Sequence, residues 1–271
     1  MESRSAQEKD RELLAAIEEF LVGEGHFGID PQVLQVLDNV DSSKKEIAGI
    51  EEMVEVMIAV RLRNLAGSVY FGMHRHGNAN SFNDVITTLG MWRAKTLIIA
   101  MALFSRLEPK HARLEVESFA VSLFAKMIAE QMGFDRNSGE KAELEGLFLN
   151  FGKVLIAIYQ ARFATEIEPA FVEKYHRKFA SWIIELFNLP DYLEHCIQQD
   201  RLVLDKRSFS IEGVVYLAQS LVQRMLDECG IIEVKASMPD VRDNLEVTLG
   251  STLYEHFNMI GLGKYVKIRS A

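Results

Sequence analysis

Histidine, cysteine and carboxylate side chains are the groups in this chain that could hold a metal or move a proton, and their spacing is sparse. His74 and His76 stand one residue apart in GSVYFGMHRHGNAN, residues 67–80. Two imidazoles begin a ligand set, but no cysteine or acid accompanies them in that stretch, so the pattern reads as a solvated loop. Cys196 and Cys229 are the only thiols and lack metal-type spacing, a usage that fits a reducing, cytoplasmic compartment. No GxSxG elbow, phosphate-binding loop or dinucleotide fingerprint occurs. Gly261 and Gly263 in NMIGLGKYVKIRS lack the third glycine and the βαβ setting, which leaves a tail turn. No cofactor and no resident metal is assigned.

Composition narrows the classes further. With 271 residues, 48% hydrophobic and 25% charged, the chain can bury a substantial core. A net charge of -9 and a pI near 5.4 argue against nucleic acid held on a broad basic surface. The longest apolar run, Leu97 to Phe104, is far below the roughly 18 residues of a membrane span, so no membrane insertion is expected. The start, MESRSAQEKDRELL, has no secretory hydrophobic stretch.

Helical periodicity supplies the elements that must position any site. Leu13, Leu14, Ile17, Phe20 and Leu21 share one face of a helix closed by Gly23 and Gly25. Packing on the protein's own body and a homodimer contact are the two uses open to that stripe. Pro31 opens a second helix with Val33, Val36, Leu37 and Val40 inside. After Asp41, Ser42 and Ser43, one helix is expected from Lys44 to Ala66, with Ile47, Ile50, Val54, Met57 and Ile58 on one face. Ser81 with Asp84 forms a helix start, and Gly90 separates that helix from a buried one over Trp92 to Phe104. Near the C-terminus, Ile231, Ile232 and Val234 read as a short extended segment, and Val241 to Phe257 as a last helix after Pro239.

This order of motifs resembles the HDOD domain, a bacterial signalling-output relative of the HD phosphohydrolases. LRNLAGSVYFG followed by SFNDVITTLGMWRAKTLIIAMAL carries the family's tyrosine and glycine at Tyr70 and Gly72, its serine-led helix at Ser81, and its leucine-glycine end at Leu89 and Gly90. HRKFASWIIELFNLPDYLEHCI adds the leucine-proline turn at Leu189 and Pro190. The resemblance implies an all-α, two-lobed helical bundle of HDOD and HD type. An amphipathic helix (1–26) precedes the HDOD-like domain (27–225), whose lobes are about 27–112 and 113–225, and an extension covers 226–271.

The same resemblance locates a relic cleft. In HD phosphohydrolases the stretch matched by LFLNFGK, residues 147–153, carries a ligating histidine-aspartate pair. Leu149 and Asn150 stand there, and Gly152 and Lys153 are retained. None of the seven histidines is followed by aspartate. In ESFAVSLFAKMIAEQMG, Glu117 replaces a histidine. In VVYLAQSLV, Gln219 replaces a carboxylate. His176, in YHRKF, falls at a histidine-rich family position and is either a cleft residue or an imidazole bonded to its own backbone. Lys153 either receives an anion or snorkels beside a helix.

HD hydrolases use histidine and carboxylate ligands to hold divalent metals that activate water and neutralise phosphoryl charge. Leucine binds no metal, and the amides of Asn150 and Gln219 offer only neutral carbonyl oxygens. The expectation is a non-catalytic signalling output or scaffold whose partners are proteins of its pathway. Two alternatives stay open: a phosphohydrolase with an atypical site recruiting His176 and Glu117, and a sensor that holds a nucleotide-like ligand in the relic cleft without cleaving it.

Overall fold

Proline and a carboxylate start the first lobe. Asp30 accepts the Gln32 amide at 2.8 Å, and Pro31 occupies a first-turn position where no amide partner is needed; together they open helix α2 (Pro31–Asp38). The preceding helix α1 (Glu2–Glu24) buries Ile17, Phe20 and Leu21. The computed structural model describes residues 2–39, 42–67, 81–198, 210–229, 232–236, 257–258 and 262–270. His74, His76 and, apart from Phe257, the helix expected over 241–257 lie outside those residues.

The single helix expected over residues 44–66 is divided. Ser43 and Glu46 make a reciprocal capping box at the start of α3 (Lys44–Gly49). A 3-10 turn follows at Glu51–Met53, Val54 is extended (φ -80°, ψ 131°), and α4 covers Val56–Gly67. Gly49 weakens helix continuation, and the break has a use. It lets Glu51 accept the Phe82 amide at 3.1 Å and pair with Arg63 at 3.2 Å. Glu51 thus ties the turn to α5 (Phe82–Leu89), whose Ser81–Asp84 capping box forms as expected. Gly90, at φ 82°, takes a left-handed turn that a side chain would strain, and α6 (Met91–Phe104) leaves it at 113° to α5.

The second lobe comprises α7 (Ala112–Gln131), α8 (Arg136–Phe148), α9 (Phe151–Phe163), α10 (Pro169–Leu186), α11 (Tyr192–Gln198) and α12 (Ile211–Cys229). α12 therefore runs four residues past the boundary expected at 225. Helix α7 packs along α8 and α12, and α9 along α10. The Phe20 ring meets Tyr159 of α9 edge-on at 5.5 Å, and Asp10 accepts from Lys174 Nζ and Tyr175 Oη of α10. The stripe of α1 is thus used on the protein's own body.

Lys95 joins the lobes. It lies in α6, fully buried, and its ammonium donates to the Asp38 carboxylate and to the carbonyls of Phe187 and Asn188. A cation at the negative end of α10 complements the helix dipole. Nearby, Arg93 and Lys126 flank the buried Glu143 carboxylate, binding α6 and α7 to α8.

The fold is helical through both lobes, and a small parallel ladder lies beyond them. Strand β1 (Ile232–Ala236) pairs with β2 (Val266–Ser270) in register from Ile232 opposite Val266 to Ala236 opposite Ser270. The extended segment expected near residue 232 is present. The tail turn expected at Gly261 and Gly263 is present from Gly263, as a 3-10 segment over Gly263–Tyr265, Gly261 lying outside the described residues; an unexpected strand follows it. The alternation of Val266 and Ile268 with Lys267 and Arg269 is the period-two pattern that carries it. Among the described residues no single helix is long and apolar enough to cross a membrane.

Candidate functional site

The matched motif lies at a tight junction, because α8 ends at Phe148 and α9 begins at Phe151. Leu149 is the C-cap of one helix and Asn150 the N-cap of the next. An N-cap asparagine ordinarily accepts an amide of its own helix, but Asn150 makes no such bond. Its amide Nδ2 turns inward and donates to Glu117 Oε1 at 3.0 Å. Gln223 Nε2 of α12 donates to the same oxygen at 3.2 Å.

This closes a buried network across three elements. Glu117 and Asn150 are both buried, and Leu149 joins the hydrophobic core. The flanking rings of Phe148 and Phe151 stack with centroids 3.8 Å apart, and Phe104 meets Phe151 at 5.4 Å. A carboxylate has only acceptor oxygens, so the amide nitrogens must face it and each amide's lone pairs point elsewhere. Two amides are therefore already directed at Glu117 Oε1.

Lys153 and His176 form a second group, between α9 and α10. Lys153 pairs with Glu173 at 3.0 Å. His176 Nδ1 lies 2.9 Å from the Val172 carbonyl and 3.1 Å from that of Glu173. Carbonyls only accept, so Nδ1 carries the proton and Nε2 holds the lone pair of the neutral ring. Burial pushes the His176 pKa down and the Lys153 ammonium lowers it further. The imidazole is held by its own helix, and a lysine beside it opposes the arrival of another cation.

The retained glycine has a packing role. A Cβ on Gly152 would stand 1.6 Å from the His176 carbonyl oxygen, so α9 and α10 approach this closely only because residue 152 has no side chain. Gly146 does the same more mildly for α8 on α7, with Ser122 backbone atoms 3.0 Å from a notional Cβ.

Of the six residues placed in the relic cleft, Glu117, Leu149 and Asn150 are brought together at one junction. Lys153 and His176 form the neighbouring pair, and Gln219 is half-buried on α12, one turn before Gln223. Sequence reasoning missed Gln223. The available signal was helical spacing: four residues on from Gln219, it shares that face. Among the described residues, no three His, Cys, Asp or Glu side chains are grouped so as to hold a metal ion.

The HDOD domain model matches residues 30–201, the greater part of the chain. The chain belongs to the HDOD family. No curated protein matches it, but solved structures share its fold. A protein from Shewanella amazonensis SB2B, provisionally named a metal-dependent phosphohydrolase, superposes with a TM-score of 0.60 at 14% identity, over 94% of this chain and 99% of its own. An HDOD domain protein of unknown function from Geobacter sulfurreducens gives 0.51 at 18% identity, over 91% and 96%. A protein from Marinobacter aquaeolei VT8, provisionally named a signal transduction protein, gives 0.50 at 16% identity, over 94% of this chain and 66% of its own.

For an HDOD domain, the relation to HD phosphohydrolases raises a metal at the cleft, and the residues here do not fit one. Leu149 has no donor atom. Glu117 is engaged by the Asn150 and Gln223 amides, and His176 is tied to its own helix beside Lys153. A divalent ion needs several oxygen or nitrogen lone pairs converging on one point.

Proposed function

We propose that this HDOD protein is a non-catalytic module of signal transduction that acts through contacts with protein partners. The observation that carries this reading is the Glu117–Asn150–Gln223 network, in which two amides engage Oε1 of the carboxylate at the position that the resemblance to HD hydrolases gives to a ligand. Buried polar groups satisfied by one another hold a core together and leave no nucleophile to activate. The family relation supports a signalling role, since a fold can persist as a binding module after its chemistry is gone.

The test is metal analysis of protein purified without added metal, combined with turnover assays on cyclic dinucleotides and generic phosphoesters. The expected result is substoichiometric metal and no hydrolysis that Glu117→Ala removes. Stoichiometric transition metal with turnover lost in that variant would overturn the reading.

A further inference from the structure

Two corners of the chain border one cleft at the lobe seam. At the first, Gly90 takes φ 82° and α6 leaves α5 at 113°. At the second, Asn188 takes φ 46° after α10, and Leu189 and Pro190 lead into α11. A left-handed residue ends each preceding helix, and a proline could not have continued it. Leu89, Gly90, Leu189 and Pro190 all line the cleft, residues of α8 complete it, and its volume is about 690 Å³. Small-molecule sites occupy about 300–1,000 Å³. None of Glu117, Asn150 and Gln223 lines it, so it is distinct from the hydrogen-bonded junction at Asn150.

Its walls are aromatic, and its charges leave one of each sign over. Trp92 is 38% exposed at the head of a helix that is buried from Arg93 to Phe104. The Lys95 ammonium lies over one face of the indole, 5.3 Å from the ring centroid, and the indole also borders the cleft. Tyr192 forms another wall, with Lys141 Nζ of α8 5.5 Å from its ring centroid. The charged side chains that line the cleft are Arg93, Glu140, Lys141 and Asp191. Arg93 and Glu140 pair with each other at 3.5 Å. Lys141 and Asp191 remain, and no ion pair joins either to another described residue. Asp191 precedes Tyr192 in the chain and Lys141 lies over the Tyr192 ring. The acid and the ammonium therefore stand at the same wall without pairing with each other.

We infer that this cleft binds a free aromatic amino acid. The ring stacks on Trp92 beside Leu89, Leu144 and Leu189, the α-carboxylate meets Lys141, and the α-ammonium meets Asp191. Such a ligand carries one charge of each sign on a single carbon, which complements a wall that offers one spare ammonium and one spare carboxylate. A purely anionic ring would face Asp191 unfavourably, and a purely cationic one would face Lys141. The aromatic part contributes stacking and apolar burial, and the two charge-assisted contacts set its orientation. Trp92 belongs to the first lobe and Lys141 and Asp191 to the second, so the occupant touches both.

The test is isothermal titration calorimetry of the full chain with L-tryptophan, L-tyrosine and L-phenylalanine. The corresponding amines lack the carboxylate, the corresponding arylpropionates lack the ammonium, and L-alanine lacks the ring. At least one of the aromatic amino acids is expected to bind at millimolar concentration or below, with its amine and its arylpropionate about tenfold or more weaker. Lys141→Met weakens the amino acid and the arylpropionate about tenfold and leaves the amine within about twofold. Asp191→Asn weakens the amino acid and the amine and spares the arylpropionate. Trp92→Leu weakens every ring-bearing ligand by about threefold to tenfold. Lys141 is half-buried and Asp191 exposed, so their variants keep the fold even where Trp92→Leu loosens the head of α6.

No heat from any of the three amino acids at millimolar concentration would overturn the inference. Equal binding of the amine, of the arylpropionate or of L-alanine would do the same, as would an affinity for the amino acid that either Lys141→Met or Asp191→Asn leaves unchanged.

Discussion

Replacing Gly152 by alanine is the sharpest probe of why the LFLNFGK motif retains its glycine. The new Cβ would begin 1.6 Å from the His176 carbonyl oxygen, and restoring ordinary contact requires α9 and α10 to part by about 2 Å. The opposing atom belongs to a helical backbone and cannot swing aside as a side-chain tip would. Overpacking costs about 1–3 kcal/mol and sometimes more, and a rigid backbone contact places this case at the upper end. Alanine regains about 1 kcal/mol of helix propensity over glycine. The expected net loss is therefore about 2–3 kcal/mol, equivalent to a fall of about 1 M in the urea midpoint for a slope of 2–3 kcal/mol/M. Gly23→Ala near the end of α1, where a Cβ meets nothing within 4 Å, is the control and should be neutral or slightly stabilising. A Gly152→Ala variant within about 0.5 kcal/mol of wild type, the spread of ordinary surface changes, would refute the packing explanation.

Other perturbations follow from the same contacts. Burial, reinforced by Glu212, pushes the Glu145 pKa up to about 8. The native state therefore keeps a proton that the unfolded chain releases from about pH 4.5, so stability falls with rising pH across that window and levels off above about 8. Urea midpoints at pH 5, 6.5 and 8 should show Glu145→Gln losing less stability than wild type, by at most about 1.4 kcal/mol per pH unit; parallel profiles would contradict this. Lys95→Met leaves the Phe187 and Asn188 carbonyls without their shared donor and should cost about 2–3 kcal/mol by urea denaturation; a neutral effect would show that Lys95 does not join the lobes. Asn150→Asp replaces an amide donor to Glu117 by a second carboxylate, so thermal unfolding at neutral pH should occur several degrees lower, for a loss of about 1–3 kcal/mol. An unchanged midpoint would mean that the Asn150 bond to Glu117 contributes nothing.

Local chemistry was the legible part of this sequence. The Ser81–Asp84 cap, Pro31 at the head of α2 and the burial of residues 97–104 all follow from interactions within a few residues, which is why spacing alone located them. The division of the expected helix over 44–66 was not legible. It depends on Glu51 reaching Phe82 and Arg63, thirty-one and twelve residues away. The strand at Val266–Ser270 shows a short period-two alternation, but its pairing was hidden for the same reason, since its partner lies more than thirty residues earlier. Among the residues assigned to a relic cleft, residue identity singled out Glu117 and Asn150 and marked Leu149 as having no donor atom. Identity did not show that the two polar groups bond to each other, nor that Gln223 is the amide of α12 that completes the network. Those depend on helix rotation, which only packing sets.

The Lys95 contact bears on how the protein can carry a signal. Bending one lobe against the other would detach a buried cation from three oxygens, a loss of charge-assisted bonds that the partly exposed Asp38 side of the contact only partly relieves. A hinge at that seam is therefore an expensive place to store information. For the contact module proposed above, that cost favours a message passed by which surfaces are occupied, as with a plug and its socket, over one passed by a bend at this seam.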